Sequence, residues 1–96
     1  MHLAELRTQY RDQILDLAAR HKASDVRVFG STARGDATGQ SDVDILVRFL
    51  PDASLMDEVR LENALSDMLE CKVDLVDDRV LKDLLRDSIL SGAVPL

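Results

Sequence analysis

The residues with the greatest chemical capacity lie between Gly30 and Asp44. Gly30-Ser31-Thr32-Ala33-Arg34-Gly35 is followed, after a polar spacer, by Ser41-Asp42-Val43-Asp44. Successive side chains of a strand alternate faces, so Asp42 and Asp44 project together while Val43, Ile45 and Val47 turn to the other side. Two residues along a strand span about 6.6 Å. At that separation two carboxylates repel by about 2.5 kcal/mol in a cleft of effective dielectric near 20, and by about 0.6 kcal/mol in water. A divalent cation removes the larger penalty, and an all-oxygen ligand set selects a hard ion such as magnesium. Taken alone, Asp-x-Asp reads more simply as a solvated strand face that needs no ion.

Asp74 shifts that balance, because it sits inside the short apolar run Lys72-Val73-Asp74-Leu75-Val76. If this third strand lies beside the second, the three acids converge, and two metals about 3.5–4 Å apart can clamp the attacking and leaving oxygens. Gly30 and Ser31 stand where a strand turns into a helix. Backbone N–H groups and the serine hydroxyl can hold an anion there, although an ordinary turn with Ser31 as N-cap fits the same residues. Arg34, one helical turn on, either reaches that anion or pairs with Asp36. Gly35 is expected to end the short helix in a left-handed conformation. Lys72 shares a face with Asp74 and either contacts a phosphate or offsets local negative charge. His2 and His21 read as solvated, Cys71 as a small apolar residue, and Tyr10 as core or interface.

The elements that must position these residues follow from periodicity. Leu3, Leu6, Tyr10, Ile14, Leu17 and Ala18 give an amphipathic first helix ending near Lys22. Val26–Phe29 reads as a buried strand stopped by Gly30, with a short helix from Ser31 and a surface loop over 36–41. Asp42–Phe49 forms the second strand, closed by Pro51. Ser54 and Asp57 resemble a capping box opening a second long helix through Leu69. Lys72–Val76 is the third strand. Val80, Leu81, Leu84, Leu85 and Ile89 make a last helix before Gly92 and Pro95. The expected fold is one α+β domain over residues 1–96, a small mixed sheet covered by helices on one face, in the order α-β-β-α-β-α.

Composition narrows the function. A chain of 96 residues buries about two-thirds of its unfolded surface and has no room for a second domain. Three aromatic residues and a net charge of −6 disfavour stable nucleic-acid binding, which needs cations and stacking rings. One cysteine forms no internal disulfide and no zinc site. There is no apolar run of the roughly 20 residues that span a bilayer and no signal-peptide core. A soluble, cytoplasmic protein is expected.

The glycine-serine turn Gly30-Ser31, the pair Asp42 and Asp44, and the later Asp74 together resemble the DNA polymerase β-like nucleotidyltransferases. More narrowly, nearly the whole chain is similar to the minimal nucleotidyltransferases of MNT/HEPN toxin–antitoxin pairs. The resemblance implies a polymerase β-like palm in which Asp42, Asp44 and Asp74 are catalytic metal ligands, with two Mg2+ ions. It implies that Gly30, Ser31 and Arg34 hold the phosphates of a nucleoside triphosphate, ATP by preference. NMP is then transferred to an acceptor hydroxyl and pyrophosphate leaves. The implied acceptor is a tyrosine of a partner HEPN-domain toxin, which makes the chain an antitoxin within a homo- or hetero-oligomer. Two other readings stay open: a catalytically silent antitoxin that neutralises by binding, and nucleotidyl transfer to a small molecule such as an aminoglycoside.

Overall fold

The computed structural model describes residues 1–35, 42–80, 89 and 92–96. The expected loop over 36–41, including Ser41, and most of the expected last helix lie outside them. The described elements are α1 (Leu3–Glu5), a π-helical turn (Leu6–Tyr10), α2 (Arg11–Arg20), β1 (Ala23–Phe29), α3 (Gly30–Arg34) and β2 (Val43–Phe49). They continue with α4 (Leu55–Leu69), β3 (Val73–Asp77), a 3-10 turn (Asp78–Val80) and β4 (Val94–Pro95). None of these helices is long and apolar enough to cross a membrane.

The four strands form one mixed sheet in the order β3-β2-β1-β4. β1 runs antiparallel to both β2 and β4, while β2 and β3 are parallel. Parallel neighbours cannot be joined by a tight turn, so the chain crosses over through α4. Ser54 starts that helix as expected: its hydroxyl accepts from Asp57 N–H at 3.3 Å, and its own N–H donates to Asp57 Oδ2 at 2.8 Å. Glu70, in a left-handed conformation at φ 54°, ends it.

Alternation sorts the sheet into two faces. Val26 and Val28 of β1, Val43, Ile45, Val47 and Phe49 of β2, and Val73 of β3 join Ile14 and Ala18 of α2 and Leu61, Leu65 and Leu69 of α4 in one buried core. Phe29, Asp44, Leu46, Arg48, Asp74 and Val76 therefore point to the opposite face. At the end of that face remote from Asp44, the buried Asp78 carboxylate accepts from Arg27 (2.6 Å) and Arg48 (3.0 Å). Two guanidiniums on one carboxylate compensate its loss of water.

Three sequence expectations need correction. The first helix is interrupted by the π-helical turn at Leu6–Tyr10 and stops at Arg20, with Lys22 at φ 63° beginning the turn into β1. The first strand starts three residues early, at Ala23, and is irregular between Ser24 and Arg27, where Asp25 adopts φ 51°. The chain end around Pro95 is a fourth strand, with Leu96 N–H donating to the Val26 carbonyl at 3.2 Å. A two-residue strand ending in proline carries almost no periodic signal, and proline is tolerated because β4 lies at the sheet edge.

α4 runs antiparallel to β3 and supplies its outer edge with polar partners. Val73 N–H donates to Ser66 Oγ at 3.1 Å and Leu75 N–H donates to Glu62 Oε2 at 3.0 Å. One helical step of four residues rises about 6 Å, nearly matching about 6.6 Å for two strand residues. Glu58, one step further along, hydrogen-bonds Asp77. Burial, together with the Asp77 charge and hydrogen bond, raises the Glu58 carboxyl above its ordinary value of 4.5. For Asp77, burial raises the carboxyl, but the hydrogen bonds and charge of Arg79 outweigh it and hold the group low. A raised native value means that protonated Glu58 contributes stability below its unfolded pKa, and that this contribution is lost as pH rises through the native value. Glu58→Gln is therefore expected to raise the urea midpoint at pH 7 by a fraction of a kcal/mol equivalent, up to about 1. The difference should vanish near pH 3, as read by parallel denaturation curves.

Candidate active site

The parallel register places Asp44 directly beside Asp74. The third strand thus lies where a three-acid site requires it. The two carboxyls share a hydrogen bond, and burial, the Asp74 charge and that bond, and then the Asp42 charge raise the Asp44 pKa above 3.8, while Arg34 opposes the rise. Asp42, at the entrance to β2, is more exposed. Lys72 at the entrance to β3 leans between the acids, its Nζ 3.8 Å from Asp42 Oδ2 and 4.0 Å from Asp74 Oδ1. Its ammonium offsets part of the negative charge that these acids bring together.

Gly30 is tied to the same carboxylate. It sits at φ +69°, and a Cβ built there would overlap Asp44 Oδ2 and lie 3.2 Å from Asp44 Cγ. Only glycine combines that conformation with that approach. Ser31 falls inside the first turn of α3, with Phe29 in the N-cap position, so Ser31 is not the N-cap. Gly35 ends α3 at φ 81° with its N–H donating to the Ser31 carbonyl, as the sequence suggests. Beside the turn a cavity of about 270 Å³ is lined by Phe29, Gly30, Arg34, Ile89 and Gly92. Cys71 packs partly buried against the core, and burial raises its thiol pKa.

Among the described residues, no three acidic, histidine or cysteine side chains are drawn together as a ready metal cage. The donor set nonetheless fits a hard cation. It is all oxygen, two of its carboxyls press on each other, and a lysine ammonium already stands between Asp42 and Asp74. Sequence reasoning placed the acids and the turn. It did not anticipate the contact of Asp44 with Gly30, for which the only signal was a glycine directly after an apolar strand.

The sequence profile of the nucleotidyltransferase domain matches residues 11–94. The chain belongs to this family. A protein adenylyltransferase of Thermococcus cleftensis is 39% identical over 79 residues, covering 82% of this nucleotidyltransferase and 80% of the relative. The solved structure of a candidate minimal nucleotidyltransferase superposes with a TM-score of 0.87 at 47% identity, covering 100% of this chain and 97% of the other. A toxin–antitoxin crystal structure with AMP-PNP superposes with a TM-score of 0.78 at 25% identity, covering 90% and 71%. The small α+β domain with its mixed sheet is the minimal nucleotidyltransferase fold.

Two outcomes follow from this geometry. Gly30→Ala is expected to cost about 1–2 kcal/mol from the left-handed backbone alone, and more from its collision with Asp44. In an Asp44→Ala background the collision is gone, so a double-mutant cycle by urea denaturation should show clear non-additivity. Asp44→Asn should stabilise the metal-free protein at pH 7, because it removes a buried charge that two neighbouring acids repel. The gain should shrink as pH falls through the raised native value of Asp44 and be gone below the ordinary 3.8, where the carboxyl is neutral in both the folded and the unfolded chain, as read by thermal melts in chelator.

Proposed function

We propose that the chain transfers AMP from ATP to a tyrosine hydroxyl of a partner HEPN-domain toxin, with magnesium held by Asp42, Asp44 and Asp74, and so acts as an antitoxin. The observation that carries this reading is the pairing of Asp44 with Asp74 across β2 and β3, next to the Gly30 turn. Two likenesses support it: the Thermococcus relative is a protein adenylyltransferase, and a similar solved complex is a toxin–antitoxin pair with AMP-PNP.

In this reading each residue has a distinct task. The Gly30–Ser31 turn brings backbone and hydroxyl donors to the triphosphate tail, because the missing Cβ at Gly30 allows close approach. Arg34 lines the adjoining cavity, and its charge already reaches Asp44, so it is suited to hold charge that moves onto the departing pyrophosphate. Bound magnesium would neutralise phosphate charge and polarise the α-phosphoryl group. The acceptor oxygen attacks the α-phosphorus, the bond to the bridging β-phosphate oxygen breaks, and pyrophosphate leaves. Asp74 stands beside Asp44 either as a further metal ligand or as the carboxylate that takes the acceptor proton. Lys72, whose contacts with Asp42 and Asp74 are long at 3.8 and 4.0 Å, is a counter-charge that a bound cation would replace.

Incubation with ATP, magnesium and the protein encoded by the adjacent reading frame should add the mass of AMP to that protein. Asp42→Ala/Asp44→Ala should abolish the adduct while leaving the complex intact on gel filtration. Full neutralisation of the toxin by the double variant would sink the enzymatic account and leave inhibition by binding alone.

A further inference from the structure

Four large apolar side chains are exposed within ten residues of sequence: Leu50 at 48%, Leu55 at 73%, Met56 at 52% and Val59 at 44%. Single exposed apolar residues are ordinary, but a contiguous patch marks a contact surface. Leu55 and Val59 are one helical step apart, and they line a groove of about 320 Å³ between α4 and β3 whose other walls include Leu75 and Val76. Leu50 is linked to the same region, because Arg79 Nη1 donates to its carbonyl at 3.1 Å while Nη2 holds Asp77 at 2.9 Å.

The rim of the groove is acidic. Glu58 and Glu62 line it, while Asp77 beneath them is buried and neutralised by its pairing with Arg79, so two carboxylates are left at the rim. An apolar floor with a negative rim matches a partner surface of apolar side chains flanked by lysine or arginine. A second copy of this chain, at net charge −6, would bring like charge to the rim.

We infer that the N-terminal half of α4, with the groove it forms against β3, is the docking surface for the acceptor protein, which presents apolar residues ringed by basic ones. This inference rests on the proposed transfer to a partner protein. The position suits a partner that is also a substrate. Asp74 lies about 10 Å along β3 from Asp77, on the sheet face opposite the one that packs against α4, so a partner seated on the groove need not cover the acids.

The test is Leu55→Glu/Val59→Glu, titrated against the protein of the adjacent reading frame by calorimetry. Both sites are exposed, and at Leu55 an acid in the first turn of the helix is favoured by its dipole, so the variant should remain folded, as its thermal melt checks. Its dissociation constant is expected to rise about tenfold or more, and rising salt should weaken the wild-type complex. Unchanged affinity in the variant would overturn the docking surface, even if AMP transfer proceeds. A self-associating wild type that the variant renders monomeric would also overturn it, by making a second copy the occupant. Tight wild-type binding that the variant abolishes, without any AMP adduct, would uphold the surface while the transfer reading fails.

Discussion

The parallel pairing of β2 with β3 is the constraint on which the rest of this small protein depends. It sets Asp44 against Asp74 on one face and Val43 against Val73 on the other. Because side chains alternate along a strand, a slip of one residue would turn an acid into the core and a valine into the site. The apolar face therefore holds the acids in register, and α4, the crossover that parallel pairing demands, supplies much of that core. Fold and candidate site are two sides of the same two strands.

The electrostatics run against the packing. Asp44 is partly buried beside two other acids, its carboxylate fills the space that a side chain at position 30 would need, and Lys72 is loosely held at about 4 Å from its acidic partners. A site optimised for stability would carry amides or apolar residues here. Carboxylates kept close by backbone pairing, with a counter-charge that can be exchanged, are the arrangement expected where a cation must enter and be bound.

Much of this was legible in the sequence. Strand alternation put Asp44 on the face opposite the core, although Asp42 falls just before β2 rather than inside it, the Ser54–Asp57 pair located the start of α4, and the apolar run around Asp74 identified the third strand. Features with no periodic or local signature escaped. β4 is two residues long and is defined only by its partner β1. The left-handed turns at Lys22 and Glu70 use side chains that ordinarily avoid that conformation, and the one at Asp25 interrupts a strand, where no turn is signalled. Asp78, an acid just beyond β3, is buried because Arg27 and Arg48 reach it from two other strands, a convergence that appears only once the sheet is assembled.

The way the sheet ends limits how the protein can associate with others. On one side, Ser66 and Glu62 already occupy backbone donors of β3 that an incoming strand would use. On the other, β4 is short and contains Pro95, which has no N–H to offer. An open sheet normally invites strand addition and edge-to-edge aggregation. Here both described borders resist it, one by side chains that already occupy its donors and the other by its shortness and its proline, so the sheet is a poor template for stacking into fibrils.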